Sequence, residues 1–568
     1  MPVFRFNVAA ALLSAIFAAS CASTSSSVSA AAKHVEPPSA TPREDSFAAA
    51  LAENPGRAAG LFHRYEFDDI SDAAPPSGYE AFYISHYGRH GSRYQIDKKS
   101  FAVVDALEAG RKAGVLTPAG EALLDALAPI VAEHSGMYGQ LSRLGAAEHR
   151  SLARRMHGRF PGVFAGGGAI RCRSSTIQRC LTSMANFACA LKGEEPALDF
   201  SFETGDRVMA VILHPYLPSD ARKKWLADFD RRIVVDNLPE PEKIVSRYFA
   251  DAPATREIVA DPHRFAFDLF AAASSFESLT VELGGADILR EFSPSELVAL
   301  GRARSCIHYA HMGNAAEYGH CAAWSAHDLA LDIARRADEA ISSGGFIRAD
   351  LRFGHDSGLR PLAGLIGIDG AGDCSPCADS WKTCPTWKGM PMGSNLQIVF
   401  YRKPGAEILV KVLYNERESA VDGLTAVAAG PYYKWSDLKK RLETPGGEPT
   451  GRGTLLLRLG DLAPAQIAAA ESLLDKYGSV RDKTVAATIA AASAASDKLV
   501  EAPRGHGDVT DLVRACADGD GVLVLDASTA FAAKPDVSGE DSDDQKSIEL
   551  LEKALLEARC RGVSVIRL

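Results

Sequence analysis

The stretch Tyr83–Tyr94, YISHYGRHGSRY, decides both the fold and the chemistry that this sequence predicts. Its apolar first half is typical of a strand, which ends at an imidazole, His90, between two guanidinium groups, Arg89 and Arg93. Arginine presents planar, permanently charged donors that match phosphate oxygens, and histidine can attack as a covalent nucleophile. Gly91 lets the backbone turn sharply beside the reacting group. The stretch therefore predicts a phosphate site at a strand end, with His90 as the nucleophile.

A second segment, Ala169–Arg179 (AIRCRSSTIQR), starts as a short apolar run, becomes rich in hydroxyl side chains and leads into a helical pattern. One of the residues Ser174, Ser175 and Thr176 is expected to cap that helix. Arg179 would then lie in the first helical turn, where free backbone N–H groups and the helix dipole also favour an anion. The segment thus predicts a third arginine for the phosphate site.

The third segment, Ala349–Gly358 (ADLRFGHDSG), alternates like a strand and ends in the titratable pair His355 and Asp356. We expect His355 to donate to a phosphoryl oxygen and Asp356 to protonate the leaving alkoxide. A similar Arg-Gly-His-Gly sequence at 504–507 lacks both the strand and the second arginine, and predicts no site. The three segments together supply a nucleophile, three phosphate-binding arginines and an acid. No metal or other cofactor is expected, because guanidinium groups provide the charge that magnesium supplies elsewhere.

In these segments and one more, the chain resembles the histidine phosphatase superfamily, in its branch of histidine acid phosphatases, phytases and multiple inositol polyphosphate phosphatases. The signature Arg-His-Gly-x-Arg matches Arg89–Arg93, and the His-Asp proton-donor element matches His355–Asp356. The segment Arg-Ser-x-x-x-x-Arg matches Arg173–Arg179, so the third pocket arginine of the family falls on Arg179. Leu141–His149 is similar to the helix start Leu-Thr-x-x-Gly-x-x-(Gln/Glu)-His.

The resemblance covers about residues 60–442 and implies an α/β fold: a phosphoglycerate-mutase-like α/β core with an inserted, mostly helical domain. Residues 218–345 contain few strand signals, and Ala322–Ile341 repeats apolar residues at helical spacing. We expect one domain at 45–442, with the helical insertion at about 195–345. A cleft between core and insertion would hold the substrate above the strand ends.

The resemblance also implies an activity, that of a phosphoric monoester hydrolase working through a phosphohistidine at His90. Asp356 would be the acid, and Arg89, Arg93, Arg179 and His355 would bind the phosphate; these catalytic and substrate-binding residues are all taken from the matched motifs. Inositol polyphosphates, phytate first, are the expected substrates. The alternatives are a broad-range acid or sugar-phosphate phosphatase, and a surface lipoprotein that binds phosphorylated ligands without turnover.

One departure from the family bears on specificity. Inositol polyphosphate phosphatases commonly carry His-Ala-Glu where this chain has His355–Asp356. The change keeps a carboxylic acid in place and leaves the preferred position on the inositol ring open.

The N-terminus predicts export. In residues 1–20, Arg5 precedes the apolar stretch Val8–Ala19, which is too short for a permanent membrane span and is typical of a signal peptide. Small residues directly before Cys21 resemble a bacterial lipoprotein signal, so we expect lipidation of Cys21, with plain cleavage as the alternative. Residues 21–44, rich in Ser, Ala, Thr and Pro, predict a flexible tether. The expected location is the bacterial periplasm or cell surface, with the lipid anchor as the membrane attachment.

Export changes the interpretation of the cysteines. Without Cys21, ten of the eleven remain, and an even number in an oxidising compartment favours disulfides. A metal site built from Cys374, Cys377 and Cys384 is the weaker alternative, because no fourth ligand lies at a suitable spacing. The three cysteines flanking the helix of Arg179 could equally be buried free thiols.

Length and charge agree with a multidomain enzyme that acts on small molecules. The chain has 568 residues, 46% of them hydrophobic, which is enough for more than one domain. Its net charge of −10 argues against nucleic-acid binding, whereas a local group of arginines can still attract a polyanionic phosphate ester. After residue 442, a Gly- and Pro-bearing linker at 443–453 precedes a small C-terminal α/β unit at 454–568 that has no chemical motif.

Overall fold

The structure is a computed structural model in which two parts of the chain are described. The larger part is residues 43–443, apart from 68–69, 71, 213–219, 285–286, 319–320 and 428–429; the smaller consists of 454–458, 464–477, 499–501, 522–526, 551–552, 555, 558 and 564–567. The predicted signal peptide, most of the tether and the lipidation site Cys21 lie outside the described residues.

The centre of the larger part is an eight-stranded mixed sheet with the order β3-β2-β4-β1-β5-β6-β7, in which β8 also pairs with β6. Strand β1 runs parallel to β4 and antiparallel to β5, and β2 runs parallel to both β3 and β4. Its strands are β1 (Glu80–Arg89), β2 (Gly168–Ser174), β3 (Leu198–Glu203), β4 (Ile347–Gly354), β5 (Asn395–Arg402), β6 (Leu409–Tyr414), β7 (Arg417–Glu418) and β8 (Tyr432–Lys434).

Because β1, β2 and β4 are parallel, their carboxyl ends lie at one edge of the sheet. Arg89 at the end of β1 is opposite Gly354 at the end of β4. The next residue, His90, donates its backbone N–H to the Gly354 carbonyl at 3.0 Å, and Ser175 donates its own to the Phe353 carbonyl, also at 3.0 Å. The three predicted segments therefore meet at this edge, as expected for parallel strands.

Helices surround the sheet and form a separate layer of their own. They are α1 (Arg43–Glu53), α2 (Ala102–Ala113), α3 (Pro118–His134), α4 (Arg143–Arg159), α5 (Pro161–Phe164), α6 (Gln178–Glu194), α7 (Asp206–Ile212), α8 (Asp220–Asn237), α9 (Glu242–Tyr248), α10 (Pro253–Ile258), α11 (Pro262–Ser274), α12 (Thr280–Leu283), α13 (Pro294–Met312), α14 (Cys321–Trp324), α15 (His327–Ser342), α16 (Asp356–Ile366), α17 (Ser380–Thr383), α18 (Thr386–Gly389) and α19 (Trp435–Glu443). Short 3₁₀ helices lie at Pro55–Phe62, Lys98–Phe101, Ser275–Ser278, Ile288–Glu291, Ala316–Tyr318 and Cys377–Asp379.

Each face of the sheet has its own apolar core. On one face, Tyr83 and Tyr87 of β1 pack with buried residues of α15, α16 and α19, such as Leu362. On the other face, Ile84 packs with buried residues of α4 and α6, such as Phe187. Since β1 is covered on both faces, its eight last residues are all buried, which is typical of a central strand in an α/β sheet.

The predicted α/β core with a helical insertion is confirmed. Between β3 and β4, the described residues contain helices and no further strand. The insertion was expected to begin near 195, but β3 occupies Leu198–Glu203 and the first inserted helix begins at Asp206. The helical layer also has a second source, because α2 and α3, which follow β1, share one apolar cluster with α11 and α13.

The smaller described part contains a second sheet. Strands β9 (Thr454–Arg458), β10 (Leu499–Glu501), β11 (Val522–Asp526) and β12 (Ser564–Arg567) pair in parallel in the order β10-β11-β9-β12, and α20 spans Pro464–Tyr477. These strands pair with one another, and none of their pairings in the described residues is with the larger sheet. The predicted boundary at 442 stays a prediction.

The predicted disulfides find no support among the cysteines that the structure describes. All seven of these cysteines are free thiols, and five of them are buried; Cys321, Cys516 and Cys560 lie outside the described side chains. In the same part of the chain no cluster of three or more His, Cys, Asp or Glu residues is arranged to hold a metal ion. None of the described helices has both the length and the apolar character required to cross a membrane.

Candidate active site

His90 lies directly after β1 and is held in one tautomer. Its Nδ1 is 2.9 Å from the carbonyl oxygen of Gly91. A carbonyl oxygen only accepts, so Nδ1 carries the hydrogen and Nε2 keeps its lone pair. Burial, followed by the charges of Arg89 and Arg93, lowers the pKa of His90 well below its usual value. The imidazole is therefore neutral and nucleophilic at Nε2.

The loop after His90 is locked against the helix that begins at Arg143. The carboxylate of Glu148 accepts from the Ser92 backbone N–H at 2.7 Å and from the Ser92 hydroxyl at 2.9 Å. A Cβ on Gly91 would lie 2.6 Å from the carbonyl oxygen of Gly145. Gly91 was expected to provide a sharp turn, but it lies outside the positive-φ glycines of the structure. Position 91 requires glycine because its backbone lies close to the backbone of Gly145.

Arg89 is fully buried and is oriented by main-chain oxygens. Its Nη1 donates to the carbonyls of Leu61 and Met390 at 2.8 Å each and of Pro391 at 3.0 Å. Its nearest carboxylate is Asp356, with 3.7 Å between Arg89 Nη2 and Asp356 Oδ2. The guanidinium is therefore held by main-chain oxygens, and its ion pair with Asp356 is a long one.

Arg93 and Arg179 complete the cationic wall of the site. Arg93 Nη1 donates to the Tyr94 carbonyl at 2.8 Å, and Arg179 Nη2 lies 3.4 Å from His355 Nδ1. Neither arginine forms an ion pair with any described residue, and both have a buried Nε without a hydrogen-bond partner there. Burial, followed by the charges of Arg179 and Arg89, lowers the pKa of Arg93 to about 9. Such a concentration of buried positive charge is costly unless an anion binds.

His355 follows β4 and faces His90, with 5.6 Å between the ring centroids. Since Arg179 can only donate to His355 Nδ1, the hydrogen of the neutral ring lies on Nε2, which donates to the Ser175 hydroxyl at 3.0 Å. Burial and the charge of Arg179 lower the pKa of His355 to about 4. His355 is thus neutral, and Nδ1 can donate to a phosphoryl oxygen either after protonation or after a change of tautomer in which the Ser175 hydroxyl donates to Nε2.

Asp356 is the first residue of α16 and keeps 23% of its side-chain surface exposed. Its Oδ1 accepts from the Ser357 N–H at 3.1 Å, and its Oδ2 lies 3.3 Å from His308 Nε2. Burial alone would raise the pKa of Asp356, but Arg89 and His308 outweigh burial and hold it well below its usual range. The acid expected from sequence is therefore ionised until a substrate brings negative charge or a proton.

The helix of Arg179 begins as expected, but its predicted cap is wrong. Arg179 is the second residue of α6, so it does lie in the first turn. The N-cap is Ile177, which has no side-chain cap, and the hydroxyl of Ser175 accepts instead from the Ile177 N–H at 3.2 Å. The same hydroxyl lies 3.0 Å from Nε2 of His355 and so connects the start of α6 to the site.

Two residues near the site were missed from the sequence as functional candidates. Glu148 lies within the matched stretch Leu141–His149, and its position in that motif was the available signal for a structural role. His308 lies on α13, far from every matched motif, where a lone histidine among buried helical residues gives no distinctive signal. Only the packing of α13 against α16 brings it to Asp356.

Comparison with solved structures shows that the chain has the fold of the multiple inositol polyphosphate phosphatase from Bifidobacterium longum. The complex of that protein with inositol hexasulfate gives a TM-score of 0.58 and 20% identity over 69% of this chain and 99% of that chain. Its complex with phosphate gives a TM-score of 0.57 and 18% identity over the same shares.

A more distant similarity is to the phytase from D. castellii, with a TM-score of 0.49 and 14% identity over 68% of this chain and 84% of that chain. No model of a protein family matches the chain, and no curated protein does. The predicted fold is thus confirmed by structure, at a sequence identity too low to transfer an activity.

Proposed function

We propose that this protein is a phosphoric monoester hydrolase that works through a phosphohistidine intermediate. The observation that carries the proposal is the lone pair of His90 Nε2 beside three arginines, Arg89, Arg93 and Arg179. Among the described residues only Arg89 has a carboxylate partner, Asp356 at 3.7 Å. Such a site offers a phosphoryl group both a nucleophile and charge stabilisation in the transition state. A carboxylic acid, Asp356, lies within reach of the same pocket.

The reaction takes place in two displacements. His90 Nε2 attacks phosphorus and forms the P–N bond while the bond to the ester oxygen breaks, and Asp356 gives its proton to that oxygen. Water then attacks the phosphohistidine, the Asp356 carboxylate accepts a proton from the water, and the P–N bond breaks to release phosphate. Arg89, Arg93 and Arg179 neutralise the phosphoryl oxygens throughout.

The low pKa of Asp356 has a consequence for the pH dependence of the reaction. A phosphate monoester has a second pKa of about 6, so its monoanion can bring the proton that Asp356 needs. We therefore expect kcat/KM to fall as the pH rises above about 6.

The nucleophile is tested by His90→Ala, with His157→Ala on α4 as the control, because His157 lies outside the pocket and packs on Phe164. Purified proteins are compared for phosphate release from an aryl phosphate, with thermal melts to verify folding. His90→Ala is expected to lose turnover and the control to keep it. Near wild-type release by folded His90→Ala would refute the proposal.

The acid is tested by Asp356→Asn, which removes the proton and roughly preserves the shape. Esters with poor alkoxide leaving groups should lose orders of magnitude more rate than activated aryl phosphates, which barely need protonation. Equal losses on both kinds of ester would remove Asp356 from the mechanism.

We propose inositol polyphosphates, phytate included, as the substrates. The proposal is supported by the matched motifs and by similarity to a structure described as binding inositol hexasulfate. A broad-range acid or sugar-phosphate phosphatase is the alternative. Ion chromatography of phytate incubated with the enzyme separates the two, because stepwise loss to lower inositol phosphates supports the first, and phosphate release from small esters alone supports the second. Finding no product from either would favour the non-catalytic binding protein.

We further propose export and a lipid anchor at Cys21, on the sequence of the N-terminus alone. Mass spectrometry of the mature protein from a bacterial host, beside Cys21→Ser, tests it. A lipid mass on the wild type and its loss in the variant are expected, and an unmodified Cys21 would refute the anchor.

A further inference from the structure

His308 belongs to the helical insertion, yet it contacts the candidate acid of the core. It lies near the end of α13, a 19-residue helix that begins with a capping box formed by Ser293 and Glu296. Its Nε2 is 3.3 Å from Oδ2 of Asp356, which lies 48 residues further along the chain. Only 8% of the residue is exposed. The ring is therefore fixed on a well-formed helix and directed at the carboxylate.

The protonation of this pair follows from its surroundings. Burial lowers the pKa of His308, more than the hydrogen bond to Asp356 raises it, so the ring is neutral. A neutral ring that faces an ionised carboxylate must present its N–H, which places the hydrogen on Nε2 and leaves Nδ1 bare. Nδ1 is buried and has no hydrogen-bond partner among the described residues. An unpartnered buried acceptor is costly, and packing alone does not explain that cost.

Positively charged residues from several elements dominate the electrostatic field at His308 and Asp356. Arg89 at the end of β1 and Arg360 on α16 both lower the pKa of His308. The other charged or titratable groups that interact with Asp356 are His90, Arg93, Arg179, His355, Tyr87 and Cys180. His308 is distinct among them because it holds a carboxylate oxygen with a neutral N–H donor.

We propose that His308 is a positioning residue for the general acid. Its Nε2–H holds Oδ2 of Asp356, while the Ser357 N–H contacts Oδ1, so that the carboxyl group stays in one rotamer through protonation, proton donation and the following activation of water. This inference rests on the proposed phosphatase activity and adds to it a residue from outside the matched motifs.

Three variants of the full chain test the proposal. His308→Phe keeps much of the ring volume and removes both nitrogens, whereas His308→Gln keeps an N–H donor of similar reach. The control is His311→Phe, since His311 lies on the same helix and bonds to Asp230, away from Asp356. Each protein is assayed per folded molecule on an aryl phosphate and on an alkyl phosphate from pH 4 to pH 8, and its thermal melt is recorded.

We expect His308→Phe to lose about 10- to 100-fold in kcat on the alkyl phosphate and less than about 3-fold on the aryl phosphate, because only the alkyl ester depends on a well-placed acid. The alkaline limb of kcat should move up by about 0.5–1 pH unit, since the carboxylate loses one hydrogen-bond donor. His308→Gln should restore most of the rate, and His311→Phe should behave like the wild type. The melting temperature of His308→Phe should be unchanged or higher, because the unpartnered Nδ1 is gone.

Equal losses on the two esters, an unshifted pH profile or a lowered melting temperature without rescue by His308→Gln would overturn the inference and leave His308 as a packing residue. A wild-type protein that hydrolyses neither ester would instead refute the proposed function, and this inference with it. The two failures are thus distinguishable.

Discussion

Two groups of buried or partly buried arginines in this protein differ in what surrounds them. The pocket arginines are Arg89, Arg93 and Arg179, whose nearest partners are backbone carbonyls, a histidine and, for Arg89, a carboxylate at 3.7 Å. The sheet arginines are Arg171, Arg173, Arg336 and Arg352, and each makes an ion pair with Asp332 or Asp350.

The difference is visible in the pKa values of Arg93 and Arg352, although burial lowers the pKa of Arg336 despite its aspartate partners. Burial lowers the pKa of Arg93 to about 9 because positive neighbours add to it. Burial acts on Arg352 in the same direction, but Asp332 and Asp350 outweigh it and raise its pKa. The sheet arginines join β2, β4 and α15 into one unit, whereas Arg93 and Arg179 form no ion pair with any described residue. The comparison teaches that the counter-ion, more than burial or residue type, separates a binding arginine from a structural one.

The largest expected effect is on turnover when a pocket arginine is removed. Arg93→Met should lower kcat/KM for an aryl phosphate by about 10²–10³-fold, because one donor to the phosphoryl oxygens is lost. Its melting temperature should stay the same or rise, since a buried charge without a counter-ion disappears. Steady-state kinetics and thermal melts check both effects. A marked loss of stability would erase the distinction between the two groups.

The matched change in a sheet arginine should lower the stability of the protein and leave its turnover unchanged, the opposite of Arg93→Met. Arg352→Met leaves Asp332 and the Ser85 hydroxyl without the partner that reaches both. We expect the free energy of unfolding to fall by about 3 kcal/mol, while the rate per folded molecule is kept. Denaturant titration beside an activity assay measures this, and an inactive but fully stable protein would contradict it.

Anion binding should stabilise the pocket group alone. Inositol hexasulfate at about 100 times its Kd should raise the free energy of unfolding by about 2.7 kcal/mol in the wild type and in Arg352→Met. At the same concentration Arg93→Met should show little stabilisation. Thermal melts at rising ligand concentration provide the test, and equal stabilisation of both variants would place the anion elsewhere.

The sheet group should in turn give the protein an acid-sensitive component. Burial alone would raise the pKa of Asp332, but Arg352 and Arg173 outweigh it and lower the pKa from 3.8 to about 2. The stabilisation is therefore complete above the unfolded pKa, near 4, and is lost as the pH falls towards 2. It amounts to about 2 kcal/mol. Asp332→Asn, compared with the wild type by denaturation between pH 2 and pH 6, should lack this part of the slope; identical slopes would contradict the assignment.

The smallest effect is expected from the C-terminal segment. No ion pair of either arginine group uses a residue described after 443. A chain ending at Glu443 should therefore keep its rate per folded molecule and its melting temperature. Comparison of residues 43–443 with residues 43–568 measures this. An insoluble or inactive short form would show that the last segment belongs to the catalytic fold.

Much of the candidate site could be predicted from sequence because its groups are local. Arg89, His90 and Arg93 lie within five residues at the end of β1, and His355 and Asp356 are adjacent after β4. Each motif therefore lies in one short segment at the end of a strand. Parallel pairing of β1 with β4 then brings the motifs together without further information. The mostly helical stretch at 218–345 could likewise be predicted, because its apolar residues recur at helical spacing.

The sequence alone determined which short segments carry phosphate chemistry and that they follow strands, because residue type and local spacing decide both. Only the tertiary structure decided which arginines are free to bind. Arg171, Arg173 and Arg179 share one segment, yet the first two pair with acids on other elements and the third reaches the pocket. It also decided that His308 meets Asp356. Such contacts depend on how distant elements pack, and no local pattern in the chain records that packing.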